Sequence, residues 1–534
     1  MSMLNGNSRF SVAPQASIER SRFDRSHSHK TTFDAGKLVP IYCEEVLPGD
    51  TVTLDLSTVC RMSTPMYPVM DNAYLDVHWF FVPYRLVWSH WREFCGENND
   101  PWAQETEYEI PHATVSAVYG GFWDHIGVPP NVACDVSALP LRAYQLVWNE
   151  WYRDQNLQSN QLVDTGDVAQ LTTGDFLLSV NKYKDYFTSC LPSPQKGEAV
   201  LLPLGEWAPV YTRSESVPSD GAIVALKWAH TGTAITSAML GVVGSGGVGT
   251  TDLFSGGSPT SQGKQAEPTN LWADLGQATA ATVNQLRQAF AVQRLLERDA
   301  RGGTRYRELV KAHFGVDTGD ARVQVPEYLG GKHIPINISQ VVQQSAAADE
   351  PTPLGNTGAF SKTVDRGSMF TKSFVEHGLL LGLASVRTDH TYQQGFPRYL
   401  SRRSRYDFYW PELANIGEQA VKVSEIYAAA DPYGDVVFGY QEAWADYRYS
   451  PNRVSGAFRS DSPQSLDVWH YADDYDTRPF LSSGWVSETD ANVARTLAVQ
   501  DSEVADQFLL DCYFSSVWTR PMPLYSVPGM AGHF

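Results

Sequence analysis

The sequence predicts a mainly β protein with a closed antiparallel architecture of the jelly-roll kind. Segments with strand patterns lie near both ends of the 534-residue chain, and long helical and loop-like segments separate them. The 31 prolines and 41 glycines favour short strands and many turns over long helices. Hydrophobic residues make up 43% of the chain, which is enough for a sizeable core, and we find no internal repeat.

Strand patterns are clearest in four segments. Thr51–Val59 follows a Pro-Gly-Asp turn and alternates apolar with polar residues, which predicts a half-buried strand. Ala73–Val82 becomes aromatic and apolar on both faces, so we expect it to be covered on both sides. Gln507–Trp518 alternates again, and Asp435–Tyr440 predicts a shorter strand.

Apolar residues at helical spacing predict three helices, at Leu86–Cys95, at Leu139–Leu157 and over residues 279–301. The second helix carries an apolar stripe, and its candidate packing residues are Tyr144, Trp148 and Trp151. The third carries Val283, Leu286, Phe290 and Leu295 or Leu296 along one face.

We expect an N-terminal arm over residues 1–45, followed by a single jelly-roll domain over residues 46–534. Residues 201–270 are rich in Gly, Ser, Thr and Ala, which predicts a long surface insertion with a few strands near Ala222–Ala229. Within it, the glycines at 244, 246 and 249 match a nucleotide-binding spacing. No helix pattern follows them, so a flexible loop is the better interpretation.

The arm is basic although the chain has a formal net charge of −19. Its first 40 residues carry six Lys or Arg and three acids, and they show no apolar run that predicts a buried element. We therefore expect a neighbouring subunit, a nucleic acid, or both, to order the arm. Its candidate contacts are Arg20, Arg22, Arg25, His27, His29 and Lys30. The two histidines lack further metal ligands nearby, which favours hydrogen bonding or phosphate contact over a metal site.

A second candidate contact region combines Arg402, Arg403 and Arg405 with the aromatic residues of 406–410. Interleaved charges and rings can stack unpaired bases and neutralise phosphates. They are also typical of an arginine-rich subunit interface, which we slightly favour. The overall acidity argues against a dedicated nucleic-acid binder but leaves room for a local basic face.

No catalytic or metal-binding motif is present, so we predict no enzyme, cofactor or metal. The six cysteines lack CxxC and CxH spacing and are predicted to be buried thiols from a reducing compartment. The cluster Asp473, Asp474 and Asp476 predicts a solvated acidic face rather than a cation site. No signal-peptide pattern occurs, and the longest apolar run, Gly378–Val386, is too short for a membrane span. These features predict a soluble protein made in the cytoplasm.

Long motifs occur in a fixed order along the chain. They include RSRFDRSHSHKTTFDAGKLVP (Arg20–Pro40), EEVLPGDT (Glu44–Thr51), PVMDNAYLDVHWFFVPYRLVW (Pro68–Trp88), LRAYQLVWNEWYRDQNLQ (Leu141–Gln158), RLLERDARGGTRYRELVKAHFGV (Arg294–Val316), EHGLLLGLASVRTDHTYQQG (Glu376–Gly395) and RPMPLYSVPGMAGHF (Arg520–Phe534). In these motifs the chain resembles the major capsid proteins of microviruses of the gokushovirus type. Only Leu201–Asn270 and Gln343–Thr371 lie outside the resemblance.

The resemblance implies an eight-stranded jelly-roll subunit, sixty copies of which form a T=1 icosahedral shell around a circular single-stranded DNA genome. It implies pentameric intermediates and assembly in the host bacterial cytoplasm. The partners it implies are an internal scaffolding protein, a small basic DNA-binding protein, a pilot protein and a host receptor. Family members carry an insertion that forms protrusions at the three-fold axes, and residues 201–270 are the candidate for it here.

We therefore expect a structural protein of the virion that does not insert into membranes. Helices Leu141–Asp154 and 279–301 are expected to pack subunits together, and the arm to clasp a neighbour with auxiliary phosphate contacts. The alternative is a secreted carbohydrate-binding or receptor-binding β protein, whose aromatic residues would stack on sugars. That class predicts a signal peptide and a carboxylate pair on strands, and the sequence offers neither convincingly.

Overall fold

The computed structural model describes residues 19–97, 108–169, 176–200, 283–344, 354–428, 432–501 and 504–525, together with the backbone of short strands between residues 210 and 273. The chain divides into two compact units. The larger comprises Met1–Pro194 with Asp299–Phe534, and the smaller is Gln195–Arg298.

The described strands follow the chain from the predicted arm to the C-terminal region. They are β1 (Ser21–Asp24), β2 (His27–Phe33), β3 (Val39–Val46), β4 (Thr51–Met62), β5 (Ala73–Pro83), β6 (His112–Ser116), β7 (Ala133–Ser137), β8 (Val210–Ser214), β9 (Val217–Pro218), β10 (Leu226–Trp228), β11 (Leu240–Val243), β12 (Asp252–Ser255), β13 (Ala266–Pro268), β14 (Leu271–Ala273), β15 (Glu327–Pro335), β16 (Ile338–Val342), β17 (Thr357–Ser361), β18 (Thr363–Ser373), β19 (Gly378–Thr388), β20 (Glu418–Lys422), β21 (Val437–Glu442) and β22 (Phe508–Arg520).

Most described helices are short. The α-helices are α1 (Tyr84–Val87), α2 (Trp91–Phe94), α3 (Phe122–His125), α4 (Leu139–Val147), α5 (Val283–Gly302), α6 (Tyr306–Phe314), α7 (Ser483–Val486) and α8 (Ala491–Ala494). A π-helical turn, Trp148–Tyr152, extends α4. Single 3-10 turns lie at Arg398–Ser401, Arg405–Asp407, Pro411–Leu413, Val423–Glu425, Pro432–Asp435, Ala445–Tyr447, Gly456–Phe458 and Asp467–Trp469.

One antiparallel sheet of the larger unit has five strands, in the order β1, β22, β4 and β18, with β2 also paired to β22. The first half of β22 pairs with β2 and its second half with β1, while β4 lies along its other side. The predicted alternation in β4 is confirmed, because Val52, Leu54 and Leu56 are fully buried. The predicted strand near Gln507–Trp518 is also confirmed, as β22.

The second antiparallel sheet has four strands, in the order β15, β5, β19 and β3. Both faces of β5 are buried, which confirms that this strand is covered on two sides. β19 is buried along almost its whole length. Its Gly382 lies so close to Trp79 that an added Cβ would come within 2.6 Å of the indole ring, which explains why a residue without a side chain is needed here.

The two sheets share a core on their facing sides, to which one contributes Val52 and Phe514 and the other Val77 and Trp79. The other face of the four-stranded sheet packs against α1 and α4, in a second core. The mainly β, antiparallel class is therefore confirmed. A closed barrel is not found, because no backbone ladder in the described residues joins the edge strands of the two sheets.

The predicted arm contains β1, β2 and β3, and Phe33, Leu38, Val39 and Ile41 are buried. The expectation that this segment joins no core and is ordered only by another molecule is therefore wrong for the described residues of 19–45. β22 supplies backbone partners for β1 and β2, so these polar strands need few apolar residues to be held.

One of the helix predictions needs correction. The single helix predicted at Leu86–Cys95 is replaced by two short ones, α1 and α2. The helix predicted over residues 279–301 is described from Val283 as α5, and its apolar residues Val283, Leu286 and Phe290 are exposed. The strand predicted at Asp435–Tyr440 starts slightly later, as β21, because a 3-10 turn occupies Pro432–Asp435.

In its described residues, the smaller unit contains three small antiparallel sheets and most of α5. The sheets are β14-β8-β9, β10-β13 and β11-β12. β10 lies within the stretch Ala222–Ala229 where strands were predicted. The glycines at 244, 246 and 249 and residues 279–282 lie outside the described residues.

Candidate functional site

Two of the candidate arm residues are held by the chain's own sheet. Arg20 donates from Nη2 to Thr51 Oγ1 at 2.8 Å. Arg25 forms an ion pair with Glu44 at 2.6 Å, and its guanidinium lies 4.9 Å from the ring centroid of Trp518. These two arginines therefore attach the first strand to its own subunit.

The other four arm candidates remain closer to solvent. Arg22, His27 and Lys30 are exposed, although Lys30 pairs with Asp511 at 3.1 Å. His27 and His29 each place Nδ1 beside a backbone carbonyl oxygen, at 2.9 and 3.0 Å. An exposed ion pair is worth at most about 1 kcal/mol, so Lys30 is available to another partner at little cost.

Several exposed aromatic rings lie between residues 399 and 449 in the described part of the chain. We call these rings the aromatic surface: Tyr399, Tyr406, Phe408, Tyr409, Trp410, Tyr447 and Tyr449. These residues are each between 46% and 65% exposed. Large exposed apolar patches on a single chain mark interaction surfaces.

The three predicted arginines of this region have different positions. Arg402 forms an ion pair with Asp446, and its guanidinium lies 4.4 Å from the ring centroid of Tyr447, so it is bound within the chain. Arg403 and Arg405 are exposed. Only these two can meet a further molecule without breaking a buried contact.

The candidate packing residues of the second predicted helix lie against the chain's own four-stranded sheet. Tyr144 and Trp148 are buried, and their polar atoms donate to backbone oxygens at 2.7 and 2.8 Å. Trp151 is half-buried, and its ring centroid lies 5.5 Å from that of Phe80. Tyr144 and Trp148 are thus occupied inside the chain rather than offered to a neighbouring subunit.

The three acidic residues near 473 do not share the solvated face that the sequence predicted. Asp474 and Asp476 are exposed, but Asp473 is buried. Asp473 lies 3.3 Å from Lys182 Nζ and 3.2 Å from His390 Nδ1. The prediction is wrong for Asp473 because its partners, which are distant in sequence, compensate its burial.

His390 lies between two buried carboxylates. Its Nε2 is 2.9 Å from Glu488 Oε2, while its Nδ1 faces Asp473. Burial lowers the pKa of His390, but the two acids outweigh burial and raise it to about 9. Burial likewise raises the pKa of Asp473, yet Lys182 and His390 hold it well below its usual range. The imidazolium is therefore an internal cation at neutral pH.

Sequence reasoning missed a second buried charge group. Asp76, on β5, is buried and accepts from Tyr183 Oη at 2.7 Å and from the guanidinium of Arg387. Burial raises its pKa, but Arg387, Tyr183 and His333 together hold the pKa below the ordinary value. The sequence feature that indicates this group is Asp76 itself, a single acid within an otherwise apolar and aromatic strand pattern.

The six cysteines are free thiols and are not uniformly buried. Cys60, Cys190 and Cys512 are buried, Cys43 and Cys134 are half-buried, and Cys95 is exposed. The prediction of buried thiols is thus wrong for Cys95, which lies at the end of the short helix α2. Burial raises the pKa of Cys60 to about 12, so that thiol is unreactive.

The residues that the structure describes show neither a cluster of metal ligands nor a membrane-spanning helix. No group of three or more His, Cys, Asp or Glu is arranged there to hold a metal ion. No helix within them is both long enough and apolar enough to span a membrane.

Comparison with known proteins assigns the chain to a family. A family model described as Capsid protein (F protein) matches residues 11–530. The chain belongs to the capsid protein (F protein) family. Its role is that of a major capsid protein of Microviridae, a structural role, as the sequence predicted. The alternative of a secreted carbohydrate-binding protein is set aside.

Three similar capsid proteins extend over nearly the whole chain. The Capsid protein VP1 of Bdellovibrio phage phiMH2K is 42% identical over 536 residues, covering 98% of each chain. That of Spiroplasma virus 4 is 40% identical and covers 99% of each. That of Chlamydia phage 1 is 40% identical and covers 98% of this chain and 97% of its own.

Proposed function

We propose that this capsid protein assembles into a T=1 icosahedral shell of sixty copies around a circular single-stranded DNA genome. The observation that carries the proposal is the match to three capsid proteins over 97% to 99% of their own lengths. Because β1 and β2 lie along successive parts of β22, the two antiparallel sheets that share one core have eight strand positions, which supports an eight-stranded jelly-roll subunit. Assembly takes place in the host bacterial cytoplasm, through pentameric intermediates.

The aromatic surface and the apolar face of α5 are the contacts between copies. Both expose rings and aliphatic side chains that a single chain leaves in water. A second copy of the chain is the natural occupant, because a shell protein must cover such surfaces with its own neighbours. Arg403 and Arg405 are exposed and are close in sequence to the rings of the aromatic surface, so they suit charged contacts at an interface.

Other components complete the particle. The net charge of −19 leaves most of the neutralisation of the DNA to a small basic protein, with auxiliary phosphate contacts from Arg22, His27 and Lys30. An internal scaffolding protein and a pilot protein are further partners. Residues 201–270, which fall within the smaller compact unit, form the protrusion at the three-fold axes and the contact with a host receptor.

Sedimentation velocity and negative-stain microscopy of the expressed full chain test the assembly. Shells or pentamers are expected, and monomers under every condition would contradict the proposal. Tyr406→Ser and Phe480→Ser form a matched pair, because both rings are exposed and each lies under an arginine, at 4.9 and 4.5 Å. Only Tyr406→Ser should lower particle yield. Equal yields would remove the aromatic surface from the contacts between copies.

A further inference from the structure

An open cavity of about 750 Å³ lies within the larger unit. Its walls come from β5, the π-helical turn with the residues that follow it, residues 181–191, residues 300–305, and single residues of β15 and β19. Cavities of this size accommodate small organic ligands or one unit of a polymer.

The charged side chains that line the cavity are almost all cationic. They are Arg153, Lys182, Lys184, Arg301, Arg305 and Arg387, against the single carboxylate of Asp154. Lys184 and Arg301 are 55% and 47% exposed, whereas their acidic partners Asp154 and Glu418 are only 8% and 1% exposed. At these two positions the cation is exposed to solvent while its carboxylate partner is largely buried, which favours an anionic ligand.

One side of the cavity is aromatic. Tyr328 is 40% exposed, and its ring centroid lies 5.4 Å from that of Trp151 and 5.6 Å from that of Phe80. His78 lies 6.0 Å from the same ring, and burial lowers its pKa, so it is a neutral ring at neutral pH. Tyr328 is thus backed by packed rings and keeps a surface on which another flat group can stack.

We propose that this cavity binds one nucleotide unit of single-stranded nucleic acid, with its phosphate near Lys184 and Arg301 and its base stacked on Tyr328. The inference rests on the proposed enclosure of single-stranded DNA. An acidic protein segment would use the cations but not the aromatic side, so the combination of the two favours a nucleotide.

Binding of fluorescein-labelled oligothymidylate to the full-length chain tests the inference, with fluorescence anisotropy measured over a series of salt concentrations. Tyr328→Ala should weaken binding roughly five- to hundredfold, as expected for loss of one stacked base, and Tyr328→Phe should retain it. Lys184→Ala should reduce the slope of log K against log salt by about 0.7, the value for one phosphate contact on a single strand.

Matched controls come from outside the cavity. Tyr306→Ala and Lys311→Ala remove exposed side chains of the same types from α6, and neither should change affinity or salt slope. Thermal unfolding of each variant checks that it is folded. If Tyr328→Ala does not fold, Tyr328→Phe still tests stacking and Lys184→Ala still tests the phosphate contact.

Three results would overturn the inference. The first is absence of oligothymidylate binding by the unaltered chain, and the second is equal affinity in cavity and control variants. The third is displacement of oligothymidylate by polyglutamate together with insensitivity to Tyr328→Ala, which would assign the cavity to an acidic protein segment. Sedimentation of the same samples separates the two proposals, since shells that form normally leave the proposed function intact even if the cavity binds no DNA.

Discussion

β22 and α5 both carry clear apolar periodicity in the sequence, but the apolar residues are buried in β22 and exposed in α5. In β22, Phe508, Leu510, Cys512 and Phe514 are at most 2% exposed. In α5, Val283, Leu286 and Phe290 share one face and are between 37% and 64% exposed. Periodicity therefore predicts that a face will be covered, but it does not say by which molecule. For a capsid protein that distinction separates folding from assembly.

The largest effect on the unfolding free energy is expected for a buried residue of β22. Phe514→Ala removes a ring that packs within 5.9 Å of Tyr42 and Trp79, measured between ring centroids. The unfolding free energy should fall by about 3–5 kcal/mol in urea titrations, and particle yield with it. Tyr513→Ala, at the neighbouring exposed position of the same strand, should change it by less than about 0.5 kcal/mol. Similar losses in both would mean that the alternation of β22 does not decide its burial.

The buried charge of His390 sharpens the comparison, because its contribution to the unfolding free energy depends on pH. The pKa of His390 is about 9 in the folded chain and about 6.5 when unfolded, so its stabilisation is complete below pH 6.5 and is lost as the pH rises towards 9. The difference corresponds to about 3 kcal/mol. Urea unfolding at several pH values should show this decline in the unaltered chain and not in His390→Gln. The same decline in both would assign it to other groups.

The smallest effect on the unfolding free energy is expected for an exposed residue of α5. Phe290→Ser should change the unfolding free energy of the free chain by less than about 0.5 kcal/mol, because the ring makes few contacts to lose. Particle yield in sedimentation should nevertheless fall. Gln288→Ser, an exposed polar position on the same helix, serves as the control and should assemble normally. Normal assembly of Phe290→Ser would remove this face of α5 from the subunit contacts.

The sequence could predict those parts of the fold that depend on local patterns. The alternation in β4 and β22 and the doubled apolar face of β5 each follow from a few neighbouring residues. The early strands β1 and β2 could not be predicted this way, since polar residues are held there by backbone pairing with β22 at the opposite end of the chain.

The candidate contact residues show the same limit. The local sequence predicts that Arg402 and Asp473 are charges near solvent, yet each is bound to a partner that no local pattern reveals. The cavity at Lys184 and Tyr328 is likewise assembled from distant segments. What the sequence did supply was the composition of the aromatic surface, because its rings and arginines are mostly contiguous in the chain.

The pairing of β22 has a consequence for biosynthesis. The ion pair between Lys30 and Asp511 joins β2 to β22 across 481 residues of sequence. At ribosomal rates of 5–20 residues per second, β2 waits roughly half a minute to a minute and a half before its partner strand is made. The five-stranded sheet is therefore completed only after translation has passed β22, so truncated products should be left to chaperones and proteases rather than built into particles.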